Sequence, residues 1–187
     1  MSVNLLHAAL VALLVAPAIG AAGAPSSLLT LVTASEPGVK LTIRAQVSDE
    51  SGKPVAGAQL HVTQTDASGR YTPERAMDEA HARLSGTVRS DTRGQFEIRT
   101  IRPGGYPKAI ELGGKQRKIP AHIHIDVTAP GYASRKLQVV FADDPLLADP
   151  YWQDWAKQAG HPIVSVTRHG STQSATVVVS LKRTTPR

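Results

Sequence analysis

Apolar and polar residues alternate without a break through the stretch 39–48, VKLTIRAQVS. Side chains that alternate in this way point to opposite faces of a β-strand, so the stretch predicts a strand with one buried face. Shorter alternating runs recur along the chain, at 58–64, 95–101, 120–127, 137–141, 164–166 and 175–181. Only 72–85 and 149–160 carry features of short helices, and a loop is an equal alternative for 72–85. The sequence therefore predicts an all-β fold, a β-sandwich of about seven to eight mostly antiparallel strands with one or two short helices.

The N-terminus differs from the rest of the chain. An apolar run at 5–19 is followed by small residues at 20–24. This pattern predicts a signal peptide over residues 1–24, because the apolar run is shorter than the roughly 20 residues of a membrane-spanning helix. We interpret 25–38 as a flexible N-terminal segment and 39–187 as the sandwich domain. The mature protein is expected to be exported, to the periplasm or outside the cell, without stable membrane insertion.

Composition narrows the classes of function. The 187 residues contain no cysteine, which excludes a thiolate metal site and a cysteine nucleophile. The net charge is +6, but the basic residues are scattered. Aromatic residues make up only 4% of the chain, too few for the stacking surface of a nucleic-acid-binding protein. We therefore expect no nucleic-acid partner, and any metal ion would have nitrogen and oxygen ligands.

The stretch 120–127, PAHIHIDV, carries two histidines one residue apart. On a strand, His122 and His124 share one face with Asp126, while the apolar residues between them share the other. Two imidazoles at this spacing can approach one metal ion at about 2.1 Å from each nitrogen. The pair indicates a metal site but does not choose the metal, so a copper or zinc site that uses these two histidines alone stays open.

Tyr71 and Tyr106 each follow a strand and a turn, where functional loops are carried by a rigid sheet. A phenol becomes a metal ligand when a strongly charged ion displaces its proton, and the resulting phenolate oxygen suits ferric iron. Two phenolates and two neutral imidazoles leave a trivalent ion with one positive charge. Tyr71, Tyr106, His122 and His124 are therefore the candidate metal ligands.

Six segments resemble, in the same order, motifs of the intradiol ring-cleavage dioxygenases, the family of protocatechuate 3,4-dioxygenase and catechol 1,2-dioxygenase. They are GKPVAGA at 52–58, QTDASGRY at 64–71, SDTRGQF at 90–96, TIRPGGYP at 100–107, PAHIH at 120–124 and FADDPL at 141–146. Each segment alone is a weak signal, but their joint order is specific.

The resemblance implies a β-sandwich enzyme with one non-haem Fe(III) ion per chain. Tyr71 and His122 would be equatorial ligands, and Tyr106 and His124 axial ligands. A catechol-type substrate would bind through both oxygens and displace Tyr106, which makes Tyr106 the candidate catalytic residue. With O₂, the ring would be cleaved between the two hydroxyl-bearing carbons to a cis,cis-muconate. The expected partners are a catecholic small molecule and O₂, and the sequence leaves a homo-oligomer open.

The chain departs from the family pattern three residues before the first histidine. The family commonly has arginine there, whereas this chain has Ile119. Three other polar residues are predicted to bind substrate: Gln64, Arg102 and Lys118. Strand alternation would place Lys118 on the face of the two histidines. Gln64 could equally be a buried or edge polar residue, and a loop-surface charge is the favoured interpretation of Arg102.

A second interpretation is a non-catalytic binding module. Residues 47–71 also resemble transthyretin-like and carboxypeptidase regulatory domains, which are small β-sandwiches that bind or brace without chemistry. That interpretation does not require two tyrosines and two histidines together.

Overall fold

The structure is a computed structural model that describes residues 26–184, so the predicted signal peptide lies outside the described residues. In chain order the strands are β1 (Leu28–Thr30), β2 (Lys40–Asp49), β3 (Gln59–Gln64), β4 (Leu84–Arg89), β5 (Gln95–Ile101), β6 (Ile110–Leu112), β7 (Lys115–Arg117), β8 (His122–Thr128), β9 (Arg135–Phe141), β10 (Ile163–Val164), β11 (Thr167–His169) and β12 (Thr172–Leu181). One α-helix, α1, spans Pro150–Ala159, and 3₁₀ turns span Glu79–His81 and Pro145–Ala148.

The strands form two five-stranded sheets and one hairpin. The first sheet has the order β1-β5-β2-β12-β11, the second β10-β9-β8-β3-β4, and β6 pairs with β7. Three pairs are parallel, namely β1 with β5, β2 with β12, and β9 with β10, while the other pairs are antiparallel. The all-β prediction with mostly antiparallel strands is confirmed.

The two sheets pack face to face around one apolar core. In β2, Leu41 and Ile43 point inward from the first sheet, and in β8, Ile123 and Ile125 point inward from the second. All four are at most 1% exposed. Burying each such side chain stabilises the fold by roughly 1.5–3 kcal/mol. The period-two pattern that predicted the strands is therefore the pattern of residues that fill this core.

The predicted helix at 72–85 is wrong except for one 3₁₀ turn at Glu79–His81. Its apolar stripe consisted largely of alanines, which bury little surface, and its last residues belong instead to β4. β4 pairs with β3 over six residues, and its Leu84 and Val88 side chains are buried. The strand count is also higher than predicted, because β4 and the three-residue strands β1, β6, β7 and β11 were not predicted, while the run predicted at 164–166 is the two-residue strand β10.

The segment 25–38, predicted to be flexible, contains the strand β1. This strand pairs in parallel with β5, and Leu29 and Leu31 pack against the main core. Gly86 in β4 leaves room for these leucines, since a Cβ at that position would lie 2.8 Å from the Leu29 side chain. The paired backbone and the two partly buried leucines fasten β1 and Leu31 to the sandwich.

Helix α1 confirms the prediction for 149–160. Asp149 caps its N-terminus by accepting a hydrogen bond from the Tyr151 backbone N–H at 3.0 Å, and Gly160 ends it with a φ of 66°. The helix buries Trp152 and Ala156. No helix within residues 26–184 has the length and apolar character needed to cross a bilayer.

Asp49, at the end of β2, is a buried carboxylate that fastens the C-terminal part of the chain to the sandwich. It accepts hydrogen bonds from the Ser51 hydroxyl at 2.6 Å, the Arg183 guanidinium at 2.6 Å and the Lys53 backbone N–H at 3.0 Å. These bonds, with that from Ser51 the largest contribution, hold the pKa of Asp49 well below its ordinary value of 3.8.

A lowered pKa means that Asp49 stabilises the fold above pH 3.8 and that this contribution is lost as the pH falls below that value. We therefore expect Asp49→Asn to lower the melting temperature at about pH 7, and the difference from wild type to shrink towards about pH 3. Thermal unfolding across this range measures it, with exposed Asp154→Asn as the control. An Asp49→Asn deficit that is the same at both pH values would contradict the assignment.

Candidate metal centre

Strand β8 presents two histidines on the face of the second sheet that points away from the shared core. Because Ile123 and Ile125 fill that core, His122 and His124 lie on the opposite face. His122 is buried and His124 is half-buried. Their Nε2 atoms are 2.9 Å apart. The strand therefore brings two imidazole nitrogens to one point, as the spacing predicts.

The two tyrosines reach the same point from separate loops. Tyr71 lies beyond β3 and is 1% exposed, whereas Tyr106 lies beyond β5 and is half-buried. Their hydroxyl oxygens are 2.9 Å apart. The ring centroids of Tyr106 and His122 are 5.3 Å apart, and those of Tyr71 and His124 are 6.4 Å apart. The four rings thus surround one point, and each ring lies next to two of the others.

Backbone contacts hold the two tyrosine-bearing loops together. The Gly104 N–H donates to the Asp66 carbonyl oxygen at 2.8 Å, and the Thr65 hydroxyl donates to the Gly104 carbonyl oxygen at 2.8 Å. A Cβ on Gly69 would lie only 1.9 Å from the Gly105 carbonyl oxygen. The loops can approach this closely only because glycine occupies these positions.

The outer nitrogens of both imidazoles face hydrogen-bond acceptors. Nδ1 of His122 is 2.8 Å from the Pro120 carbonyl oxygen, and Nδ1 of His124 is 3.2 Å from Oε1 of Glu79. Neutral rings with their protons on Nδ1 would turn both Nε2 lone pairs towards each other, which is repulsive unless a cation is shared between them. An acceptor at one ring nitrogen and a metal ion at the other is the usual arrangement of a metal-binding histidine.

Burial sets the protonation of all four groups. It lowers the pKa of His122 to about 4 and that of His124 to about 4, so both are neutral donors at neutral pH. Burial also raises the pKa of Tyr71 and of Tyr106. The phenols therefore keep their protons until a strongly charged ion displaces them.

Among residues 26–184, no group of three or more His, Cys, Asp or Glu side chains is arranged to hold a metal ion. The four converging side chains fall outside that description because two of them are phenols. Two phenolic oxygens and two neutral imidazole nitrogens form a donor set that suits Fe(III) better than Zn²⁺ or Cu(I). The residues present therefore fit the ferric ion that the family resemblance implies.

Apolar side chains enclose one side of this centre. A second cluster, separate from the main core, contains the buried residues Ile119, Val140, Leu147 and Trp152, with Tyr106 packed against it. Val140 is the residue of β9 directly opposite His122. Ile119, at the position where the family commonly has arginine, is thus an apolar wall residue. Trp152 packs in the same cluster.

Gln64 does not lie with the metal centre. It shares the inward face of β3 with Leu60 and Val62, opposite to the histidine face. Its side-chain amide donates to the Ile101 carbonyl oxygen at 3.1 Å and accepts from the Thr100 hydroxyl at 2.9 Å. Gln64 therefore joins the two sheets, and the prediction that it binds substrate has no support in this geometry.

Arg102 and Lys118 also lie elsewhere. The Arg102 guanidinium stacks over Phe141 at 3.8 Å and pairs with Asp143 at 2.7 Å. Lys118 is exposed and lines a surface cleft near the start of α1. The strand alternation assumed for it fails because β8 begins only at His122, after Pro120, which has no backbone N–H for a strand ladder.

Two residues near the centre lie outside the predicted site. Glu79 contacts His124 from a segment with predicted helical features. His161 is half-buried, and its Nδ1 accepts a hydrogen bond at 3.2 Å from the backbone N–H of Gln138, the residue opposite His124 on β9. Neither residue has a ligand-like spacing to the H-x-H pair, so nothing in the local sequence pattern points to them.

Comparisons with known proteins agree with this geometry. A sequence profile of the family described as "Dioxygenase" matches residues 16–178. Catechol 1,2-dioxygenase 2 of Acinetobacter lwoffii is 30% identical over 164 residues, which cover 82% of this chain and 58% of that protein. The protocatechuate 3,4-dioxygenase beta chain of Burkholderia cepacia is 33% identical over 136 residues, covering 68% of this chain and 56% of the relative. The chain thus spans about half the length of these curated relatives.

Solved structures show the same fold. The 3-chlorocatechol 1,2-dioxygenase from Rhodococcus opacus 1CP superposes with a TM-score of 0.67 at 24% identity, over 87% of this chain and 68% of that one. The dioxygenase domain of a dioxygenase carbohydrate-binding protein fusion from Streptomyces sp. SirexAA-E superposes with a TM-score of 0.63 at 27% identity, over 86% and 92% of the two chains. With the profile match over most of its length, the chain belongs to the intradiol ring-cleavage dioxygenase family.

Proposed function

We propose that this protein is a non-haem Fe(III) dioxygenase that cleaves catechol-type rings between the two hydroxyl-bearing carbons with O₂. The observation that carries the proposal is the convergence of Tyr71, Tyr106, His122 and His124. The two phenol oxygens lie 2.9 Å from each other, and so do the two Nε2 atoms. A copper or zinc site on the histidine pair alone would leave the two converging phenols without a role. A binding module would need neither pair.

The four side chains would hold the ferric ion, which supplies Lewis acidity towards the two catechol oxygens when it is bound. The two tyrosines differ in their freedom to move. Tyr71 is fully buried, whereas Tyr106 is half-buried beside the apolar cluster. Tyr106 is therefore the phenol that can leave for an incoming substrate, and its Oη can then take up a proton from a catechol hydroxyl. A free phenol has a pKa near 10, so it would hold that proton at neutral pH.

The apolar cluster would orient the substrate ring and exclude water. Ile119, Val140 and Trp152 are each at most 7% exposed and belong to the cluster against which Tyr106 packs. Displacement of Tyr106 would uncover these apolar side chains. Holding a substrate in a reactive orientation supplies a large part of an enzyme's rate, and a misplacement of about 1 Å can cost about 10²-fold. Because Ile119 carries no charge, this apolar cluster would contact the flat faces of the substrate ring.

Oxygen uptake tests the proposal. Iron-loaded protein supplied with catechol, protocatechuate or hydroxyquinol is expected to consume O₂ and form a ring-opened dicarboxylate in equal amounts, with both oxygen atoms of ¹⁸O₂ in the product. Metal-free protein and protein loaded with Zn²⁺ are the controls. Iron-loaded protein that consumes no O₂ with any of the three substrates would contradict the proposal.

A further inference from the structure

The loop 71–83 is closed by two backbone hydrogen bonds to Tyr71, and it carries an acidic residue to the metal centre. The Tyr71 backbone N–H donates to the Ala76 carbonyl oxygen at 3.0 Å, and the Arg83 N–H donates to the Tyr71 carbonyl oxygen at 3.0 Å. Arg83 also forms a two-point ion pair with Glu36, with both N–O distances 2.8 Å. The loop is thus fastened at both ends, and Glu79 begins the 3₁₀ turn within it.

The Glu79 carboxylate faces the outer nitrogen of one candidate ligand. Its Oε1 atom lies 3.2 Å from Nδ1 of His124, and the two side chains are 46% and 17% exposed. Within residues 26–184, His124 is the one basic side chain with a nitrogen within 4.0 Å of this carboxylate. The loop geometry therefore directs Glu79 to the side of His124 that faces away from the shared centre.

The two histidines are supported in parallel ways. The Pro120 carbonyl oxygen accepts from Nδ1 of His122, which leaves Nε2 of that ring free to bind an ion. His124 needs an acceptor at the same place if its Nε2 is also to bind, and Glu79 is the acceptor within reach. The Glu79 carboxylate also brings a negative charge to within 3.2 Å of the His124 ring. A negative charge beside four neutral donors favours a cation among them.

We propose that Glu79 is a positioning residue of the metal centre. Its carboxylate accepts the Nδ1 proton of His124, which turns the Nε2 lone pair towards the ion, strengthens the imidazole as a donor and offsets part of the ion's charge. The inference rests on the proposed function in requiring a metal ion at the four donors, but it does not depend on ring cleavage.

Metal affinity tests the proposal. Residues that accept a hydrogen bond from a metal-binding histidine typically contribute about 10–100-fold to metal affinity. Glu79→Ala is therefore expected to weaken Fe(III) binding by about that factor, measured in competition with a chelator. Glu79→Gln keeps an acceptor oxygen without the charge, and its loss is expected to be smaller. Glu74→Ala, an exposed glutamate of the same loop, is the control and should bind iron like wild type.

Spectroscopy separates positioning from a general loosening of the loop. In Glu79→Ala saturated with iron, the phenolate-to-iron absorption band should shift from its wild-type wavelength, while in Glu74→Ala it should not. With diamagnetic Ga(III) in place of iron, the His124 Nδ1 proton should be detectable by ¹⁵N NMR in wild type and exchange faster in Glu79→Ala. If Glu79→Ala does not fold, the nearly isosteric Glu79→Gln tests the same contact, with a smaller expected loss of iron affinity and a smaller shift of the band.

The inference is overturned if the folded variants bind Fe(III) within roughly twofold of wild type and keep the wild-type absorption band, or if wild type binds neither Fe(III) nor Ga(III). Wild type that binds iron but consumes no O₂ with any catechol would overturn the proposed function alone, because the affinity and NMR comparisons still decide the role of Glu79.

Discussion

Tyr71→Phe is expected to reduce ring cleavage by at least about 10²-fold, the loss that a 1 Å misplacement of reacting groups already causes. The substitution removes one oxygen from a fully buried position 2.9 Å from the Tyr106 hydroxyl. Fe(III) would then have one anionic ligand fewer and a higher net charge in a buried site. Substrate displacement of Tyr106 would leave only the two neutral imidazoles, so the ion would also be held weakly.

Oxygen uptake per bound iron measures this effect, alongside the iron content of the purified variant. Tyr132→Phe is the matched control. Tyr132 lies against Arg183, in the turn that follows the end of β8 opposite to His122, so the substitution should leave both quantities unchanged. A Tyr71→Phe protein that binds iron and cleaves catechol at the wild-type rate would show that Tyr71 is not a ligand.

Gly69→Ala is expected to destabilise the protein by about 2–5 kcal/mol, the sum of a left-handed backbone strain and an overpacked contact. Gly69 has a φ of 82°, and an added Cβ would lie 1.9 Å from the Gly105 carbonyl oxygen. That contact is between the backbones of the two tyrosine-bearing loops. Relief of the clash would move the loops apart, so the variant should also lose iron affinity.

Gly52→Ala is the control for the backbone strain alone. Gly52 has nearly the same φ, 83°, but nothing lies within 4 Å of its added Cβ, so its cost should be only about 1–2 kcal/mol and its iron binding should be unchanged. Chemical denaturation of the two variants gives the comparison. Equal destabilisation would mean that the loop contact contributes nothing beyond the glycine conformation.

How far the sequence predicts this structure depends on the range over which each signal acts. The long strand β2 and the histidine strand β8 follow from local alternation, because the same residues that alternate in sequence fill one core. The three-residue strands β1, β6, β7 and β11 do not, since so few residues cannot display a period. In β4, Gly86 takes the position between the buried Leu84 and Val88, so the apolar alternation is interrupted.

The candidate ligands divide in the same way. The H-x-H pair is a local pattern, whereas the meeting of Tyr71 with Tyr106 depends on two loops 35 residues apart in sequence. Local pattern placed each tyrosine only after a strand and a turn, and the chemistry of the donor set and the family resemblance joined the two in one site. Glu79 acts through a loop whose course is fixed by Arg83 and Glu36, so no spacing rule could place it. The position of Gln64 was predictable: it has the same parity in β3 as Leu60 and Val62, and that parity directs it to the core.

An iron titration of the metal-free protein, followed by visible absorption, shows whether two phenols and two imidazoles share one ferric ion. Phenolate bound to Fe(III) absorbs visible light by charge transfer. We expect a red to burgundy colour that grows until one ion is bound per chain and then stops. A protein that binds one Fe(III) per chain and stays colourless would show that the phenols do not bind the ion.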